Sequence, residues 1–300
     1  ADGPSGFSHS HKVQTTTADT SLDAGSVYMI RYIFEGQDVQ DFAKGTSDAK
    51  EYALSFYVKT ANLTGTFVVE LLDSVNTRHC CKSYTVSSAG SWQEVQLTFP
   101  ADTTGAITSD NAGRFEINFY IGAGSGYTAG TLQTTWGARS GNTNRATGQT
   151  AQIGSSTSNR FQITGVQLEV GSVATDFEHR SFAQELALCQ RYYYRTTPSN
   201  QGFYGVGNID GGSQGQILIH FPTEMRSKPT SLETTGTATD YILRVTSNVN
   251  CTGVPTIDNT STTTALVVPP SSSHGLTDKS GAFLRAGSDS SFLGFAGAEL

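Results

Sequence analysis

The stretch ITGVQLEVGSVATDFEHRSFAQELALCQRYYYR, residues 163–195, contains both kinds of periodicity found in this chain. Val166, Leu168 and Val170 alternate with Gln167 and Glu169, the period-two pattern of a strand with one buried face. Ile163 is out of phase with that set, and Gly165 between them is where a β-bulge would restore the register. Gly171 ends the strand. Further on, Ser181 with Gln184 three positions later is a capping-box pattern, and Glu185 adds negative charge to the first turn. Phe182, Leu186, Cys189 and Tyr193 then follow at i, i+4, i+7 and i+11, a helical stripe. Arg191 and Arg195 suit the C-terminal end of the dipole, and Pro198 stops the element. The spacing predicts one helix of about 12 to 14 residues, too short to be a stable coiled coil alone.

On both sides of this helix the chain reads as β. Tyr52, Leu54, Phe56 and Val58 share one face of YALSFYVK; Phe67, Val69 and Leu71 do so in TFVVELL, and Val95, Leu97 and Phe99 in WQEVQLTF. RFEINFYI places Phe115, Ile117, Phe119 and Ile121 on one face and Glu116, Asn118 and Tyr120 on the other. One buried and one wetted face is the signature of antiparallel sheets packed as a sandwich. After the helix, GQILIHF, YILRVTS, ALVV, AFLR and SFLGFAGAEL supply strands for a second antiparallel sandwich. The predicted organisation is a first β domain over residues 1–180, a connecting helix over 181–196 and a C-terminal β-sandwich over 197–300. Residues 122–158 are a long Gly/Ser/Thr/Asn stretch whose only large aromatics are Tyr127 and Trp136. One or two short strands are expected around TLQTTW, with an irregular loop after them.

Composition narrows the function classes. Gly is 32 of 300 residues and charged residues are 15%, the balance of an all-β chain with many turns. A net charge of −7 opposes binding to nucleic acid, whose phosphates need a basic surface. No apolar run reaches the ~20 residues that span a bilayer, so membrane insertion is not expected. Cys80, Cys81, Cys189 and Cys251 have no metal-ligand spacing and are expected to be reduced, mostly buried thiols. The chain opens on Ala1 rather than Met, which reads as a processed or fragmentary chain.

The quoted segment is similar to one that recurs in bacteriophage virion proteins, mainly tail-fibre and related fibre proteins. There it closes a domain similar to the jelly-roll carbohydrate-binding modules and opens a C-terminal β domain. FEGQDVQDFAKGTSDAKEYALSFYVKT, GTFVVELL, SWQEVQLTFPADTTG and FEINFYIGAGSGY fall upstream in the family's order, and FPTEMRSKPTS and FLGFAGAEL resemble its last domain more loosely. The resemblance covers roughly residues 27 to 230 and carries no catalytic residue. It implies a jelly-roll first domain, a homotrimer, a place on the virion as tail or capsid appendage, and contact with other virion proteins. Host-surface polysaccharide is the external partner it suggests.

The chemistry-bearing residues fit a non-enzymatic role. Glu35 with Asp38 and Asp41, or Glu70 with Asp73, could pair as carboxylates, but none lies in a recognisable motif. The string GGSQG at 211–215 runs into the β-type segment GQILIHF rather than a helix, so no G-x-S-x-G nucleophile elbow is formed. His9 and His11 are too few to make a zinc site, the Asp38/Asp41 spacing is not diagnostic for calcium, and no metal or cofactor is expected. Glycans are recognised by flat aromatic faces with polar neighbours, which makes Trp136, Tyr127, Tyr120 and Tyr57 candidate contact residues; the competing reading is that these rings are packing. Tyr192, Tyr193 and Tyr194 would point in different directions on a helix. With Phe182, Leu186 and Cys189 they are the candidate domain or subunit interface. A carbohydrate-binding module of a secreted protein, or a decoration fibre that binds no glycan, fits the same residues.

Overall fold

The structure is a computed structural model and describes residues 2–271 and 276–300. The chain divides after Glu178 into two compact units. The strands of the first are β1 (His11–Gln14), β2 (Val27–Glu35), β3 (Tyr52–Ala61), β4 (Gly65–Asp73), β5 (Arg78–Val86), β6 (Gln93–Phe99), β7 (Gly113–Ala123), the two-residue β8 (Gly137–Ala138) and β9 (Arg160–Val170). They pair antiparallel in two sheets, ordered β1-β9-β3-β6 and β2-β7-β4-β5-β8. Setting β8 aside, the first strand pairs with the eighth, the second with the seventh, the third with the sixth and the fourth with the fifth. That is one long hairpin rolled on itself, the double Greek key of a jelly roll.

The alternating strands supply the core between the sheets. Tyr52, Leu54, Phe56 and Val58 from β3 meet Phe67, Val69 and Leu71 from β4 and Phe115, Ile117, Phe119 and Ile121 from β7. Gly165 sits at φ +61, where the pairing of β3 with β9 slips between Ser55 and Tyr57. The bulge brings Ile163 and Leu168 to the same core. A side chain at Gly165 would strike the rings of Phe7 and Tyr57, so the site needs glycine on two counts.

The outer face of the five-stranded sheet departs from the wetted face expected. Val68, Glu70, Leu72, Asn118 and Tyr120 are all buried there. The segment after β7, with the single helical turn α1 (Ser125–Thr128) and a 3₁₀ turn at Ile153–Ser155, folds back over them. Gln149 fixes it by accepting from Val68 N–H (2.9 Å) and donating to Tyr120 O (3.1 Å). No strand forms over TLQTTW. The ladder contact comes one step later, at β8, while Cys81 N–H donates to Gln133 O at 2.6 Å.

The second unit begins with helix α2 (Phe182–Gln190). Its strands are β10 (Tyr194–Thr196), β11 (Phe203–Asp210), β12 (Gln214–His220), β13 (Ser231–Glu233), β14 (Tyr241–Arg244), β15 (Asn248–Asn250), β16 (Thr256–Thr260), β17 (Thr264–Val268), β18 (Gly281–Ala286) and β19 (Leu293–Ala296). An antiparallel seven-stranded sheet runs β15-β14-β18-β11-β12-β17-β16, and a three-stranded one β10-β19-β13. Their shared core holds Ile217, Ile219, Phe221, Tyr241 and Leu243 with Leu293 and Phe295.

Helix α2 has the predicted capping box. Ser181 Oγ accepts from Gln184 N–H, and Gln184 Oε1 accepts from Ser181 N–H. It is shorter than expected and stops at Gln190, so the tyrosine run lies beyond it. Tyr194 belongs to β10, where its ring stacks on Phe295 with centroids 6.1 Å apart. Tyr193 Oη donates to Glu233 Oε2 at 2.8 Å. Tyr194 is therefore a core-edge residue of its own unit, and the helical stripe ends at Cys189.

Candidate functional site

Strand β4 places Glu70 on the sheet's outer face because its neighbours Val69 and Leu71 point into the core. A carboxylate buried there requires donors, and four residues supply them. Glu70 accepts from His79 Nδ1 (2.7 Å), Tyr120 Oη (2.9 Å) and Asn118 Nδ2 (3.2 Å), and from Arg145 through Nε (2.9 Å) and a terminal nitrogen (2.7 Å). Burial alone would raise its pKa. The bonds from His79 and Arg145, the Arg145 charge and the Tyr120 hydroxyl outweigh that and hold the carboxyl below its ordinary range. The Arg145 guanidinium lies 5.8 Å from the ring centroids of both Tyr120 and Tyr127.

Glu70, His79 and Cys81 offer ligand atoms within 4.8 Å of one another, a spacing a metal ion could use. The chemistry of the set opposes it. Both Glu70 oxygens already accept from a guanidinium, and burial pushes the Cys81 thiol far above its usual range, away from the thiolate a metal requires. The cluster is a staple between sheet and loop.

A second buried set lies around Asp73 and Asp102. Lys44 bridges them at 2.5 and 3.0 Å, and Arg78 binds Asp102 in bidentate fashion at 2.8 and 2.9 Å. Asp73 also accepts from Asn76 Nδ2 at 2.8 Å. The carboxylates that the sequence offered as an acid–base pair, Glu70 and Asp73, are thus both committed to protein donors.

The four candidate glycan residues do not converge. Tyr120 has no accessible surface, so it cannot stack on a sugar. Tyr127 is half-buried beside it, with ring centroids 6.2 Å apart. Trp136 packs on Tyr52 and Phe115 at the core's edge, donates Nε1–H to Pro100 O (2.8 Å) and faces the Lys44 ammonium. Tyr57 lies in the other sheet against Phe7, 5.4 Å between centroids. Tyr120 is therefore packing, and the other three rings, each partly exposed, make contacts within the fold.

Helix α2 is the opposite case. No residue of it is buried, and Phe182, Leu186 and Leu188 are 81%, 41% and 47% exposed, with the free thiol of Cys189 also at the surface. Phe182, Leu186 and Cys189 keep the 4-then-3 spacing of a coiled-coil seam. Among the described residues no helix is long and apolar enough to cross a membrane.

No protein-family model matches the chain, and no curated protein matches it. Among solved structures it is similar to that of the T=1 Penaeus vannamei nodavirus, at 10% identity over 96% of this chain and 96% of that one, with a TM-score of 0.20. It is also similar to the atomic structure of Sulfolobus Turreted Icosahedral Virus, at 14% identity over 98% of this chain and 62% of that one, TM-score 0.18. At such TM-scores the likeness carries no argument about function.

Proposed function

We propose that this protein is a non-enzymatic structural component of a virion, an appendage of the tail-fibre kind. Copies of the chain associate through helix α2, with other virion proteins and host-surface glycan as partners. The observation that carries the reading is the exposed apolar stripe Phe182–Leu186–Cys189 on a nine-residue helix. Isolated helices shorter than about 12–15 residues are marginal in water, so most of their stability comes from burying an apolar face. This chain leaves that face open, and the seam spacing suits identical helices packed side by side. Three copies follow from the resemblance of residues 163–195 to phage fibre segments. The commitment of Glu70 and Asp73 to structural bonds supports the non-enzymatic half.

Cys189 supplies the test. Cys80, Cys81 and Cys251 are buried, so mild copper–phenanthroline oxidation of the native chain reaches Cys189 first. A disulfide-linked dimer on a non-reducing gel, lost in Cys189→Ser, is expected. A Cys189 that reacts freely with maleimide but never cross-links would remove the seam.

A further inference from the structure

A cleft of about 350 Å³ opens in the first unit between the β1–β2 loop, the start of β2 and the segment that follows β7. It contains none of the aromatic residues that the sequence singled out. Its lining joins one ring, Tyr28, and one carboxylate, Asp19, to the hydroxyls of Thr20, Ser21 and Ser125, and no Lys, Arg or His among the described residues lines it.

The cleft is held in shape by its own bonds. A Cβ at Gly154 would come 2.9 Å from the Tyr28 ring, and one at Gly122 3.0 Å from it, so the ring rests against two glycines while staying 37% exposed. Tyr28 Oη donates to Asp19 Oδ2 at 3.3 Å, and Asp19 Oδ1 accepts from Ser21 N–H at 3.2 Å. Asp19 N–H donates to Gly154 O at 2.8 Å. Gln152 clamps the far wall, accepting from Ala123 N–H (3.0 Å) and donating to Ala123 O (2.9 Å). A ligand would find these groups already placed, with little ordering left to do.

We propose that this cleft is a saccharide site that takes one neutral or N-acetylated pyranose ring. A pyranose has an apolar C–H face that lies on an aromatic ring and an edge of hydroxyls that a carboxylate can accept from in pairs. Tyr28 and Asp19 are adjacent and present both surfaces, with the Ser and Thr hydroxyls as further partners. The volume is at the small end of ligand sites, which suits a single ring. A lone carboxylate with no basic side chain in the lining repels a uronic acid, so the site discriminates by charge. The proposal locates the host-glycan contact of the function proposed above and rests on that part of it.

Saturation-transfer NMR on the intact chain tests it, with the methyl glycosides of glucose, galactose, N-acetylglucosamine and glucuronic acid as probes. Transfer to at least one of the first three, and none to glucuronate, is expected. Asp19→Asn keeps the shape and is expected to weaken binding about tenfold or more, and Ser125→Trp, which fills the cleft, to abolish it. Silence from every probe, or a signal unchanged in both variants, would overturn the site. The Cys189 cross-link is read on the same samples: sugar silence with cross-linking intact removes the cleft alone, and sugar binding without cross-linking supports the cleft while removing the assembly.

Discussion

Arg145 reaches from the covering loop to Glu70 on the middle strand of the five-stranded sheet, closing a bidentate contact at 2.7 and 2.9 Å in a site with almost no solvent. The ion pair, with Gln149, holds the covering loop on the sheet face.

Removing one member of a buried pair strands the other charge and costs about 3–5 kcal/mol. Arg145→Ala is therefore expected to lower the stability of the first unit by that order, while adding Glu70→Gln, which removes the stranded charge and still accepts from Tyr120 and Asn118, recovers part of it. Denaturant unfolding followed by tyrosine and tryptophan fluorescence compares the two. Equal losses in both variants would mean that the pair does not hold the loop.

The same carboxylate sets an acid dependence. Facing His79, Arg145, Tyr120 and Asn118, Glu70 titrates lower in the folded chain than an ordinary glutamate. The unfolded chain then binds the proton more readily, so the stabilisation is complete above about pH 4.5 and is lost as the pH falls through the folded value. Glu70→Gln should flatten that limb of the stability profile.

Trp136→Ala is expected to cost about 3 kcal/mol, since the ring fills the core edge beside Tyr52 and Phe115. Any cell or glycan attachment should survive in the molecules that remain folded. Loss of attachment at unchanged melting temperature would restore Trp136 as a contact residue.

Thiol chemistry separates the cysteines. Burial pushes Cys80 and Cys251 up to about 12 and Cys81 higher, whereas Cys189 is exposed. A colorimetric thiol assay should count at most one fast group in the native chain and four in denaturant. Fast reaction of Cys81 would contradict the covered sheet face.

Much of the fold was legible in the residue patterns: the core faces of β3, β6 and β7 and the bulge at Gly165 in period-two alternation, and the capping box of α2 in the Ser181–Gln184 spacing. The covered sheet was not read, although TFVVELL carried the signal. Val68 and Leu72 flank Glu70 on the face opposite Phe67, Val69 and Leu71, and a strand apolar on both faces is buried on both. Arg145 had no comparable mark, because a long-range ion pair leaves no period in sequence. The tyrosine run was misplaced for a different reason. Tyr194 fits a helix by count, but in β10 it gains more by stacking on Phe295 of β19, and tertiary packing overrides propensity. Tyr28 and Asp19, nine residues apart with a loop between them, are joined only by the fold.

The central claim is that copies of this chain meet through helix α2. The solution mass of the intact chain, by light scattering on a sizing column, tests it most directly. The account predicts about three times the 31.9 kDa of one chain, falling to one chain in Leu186→Glu. A clean monomer for the unmodified chain, with α2 still helical, would contradict it.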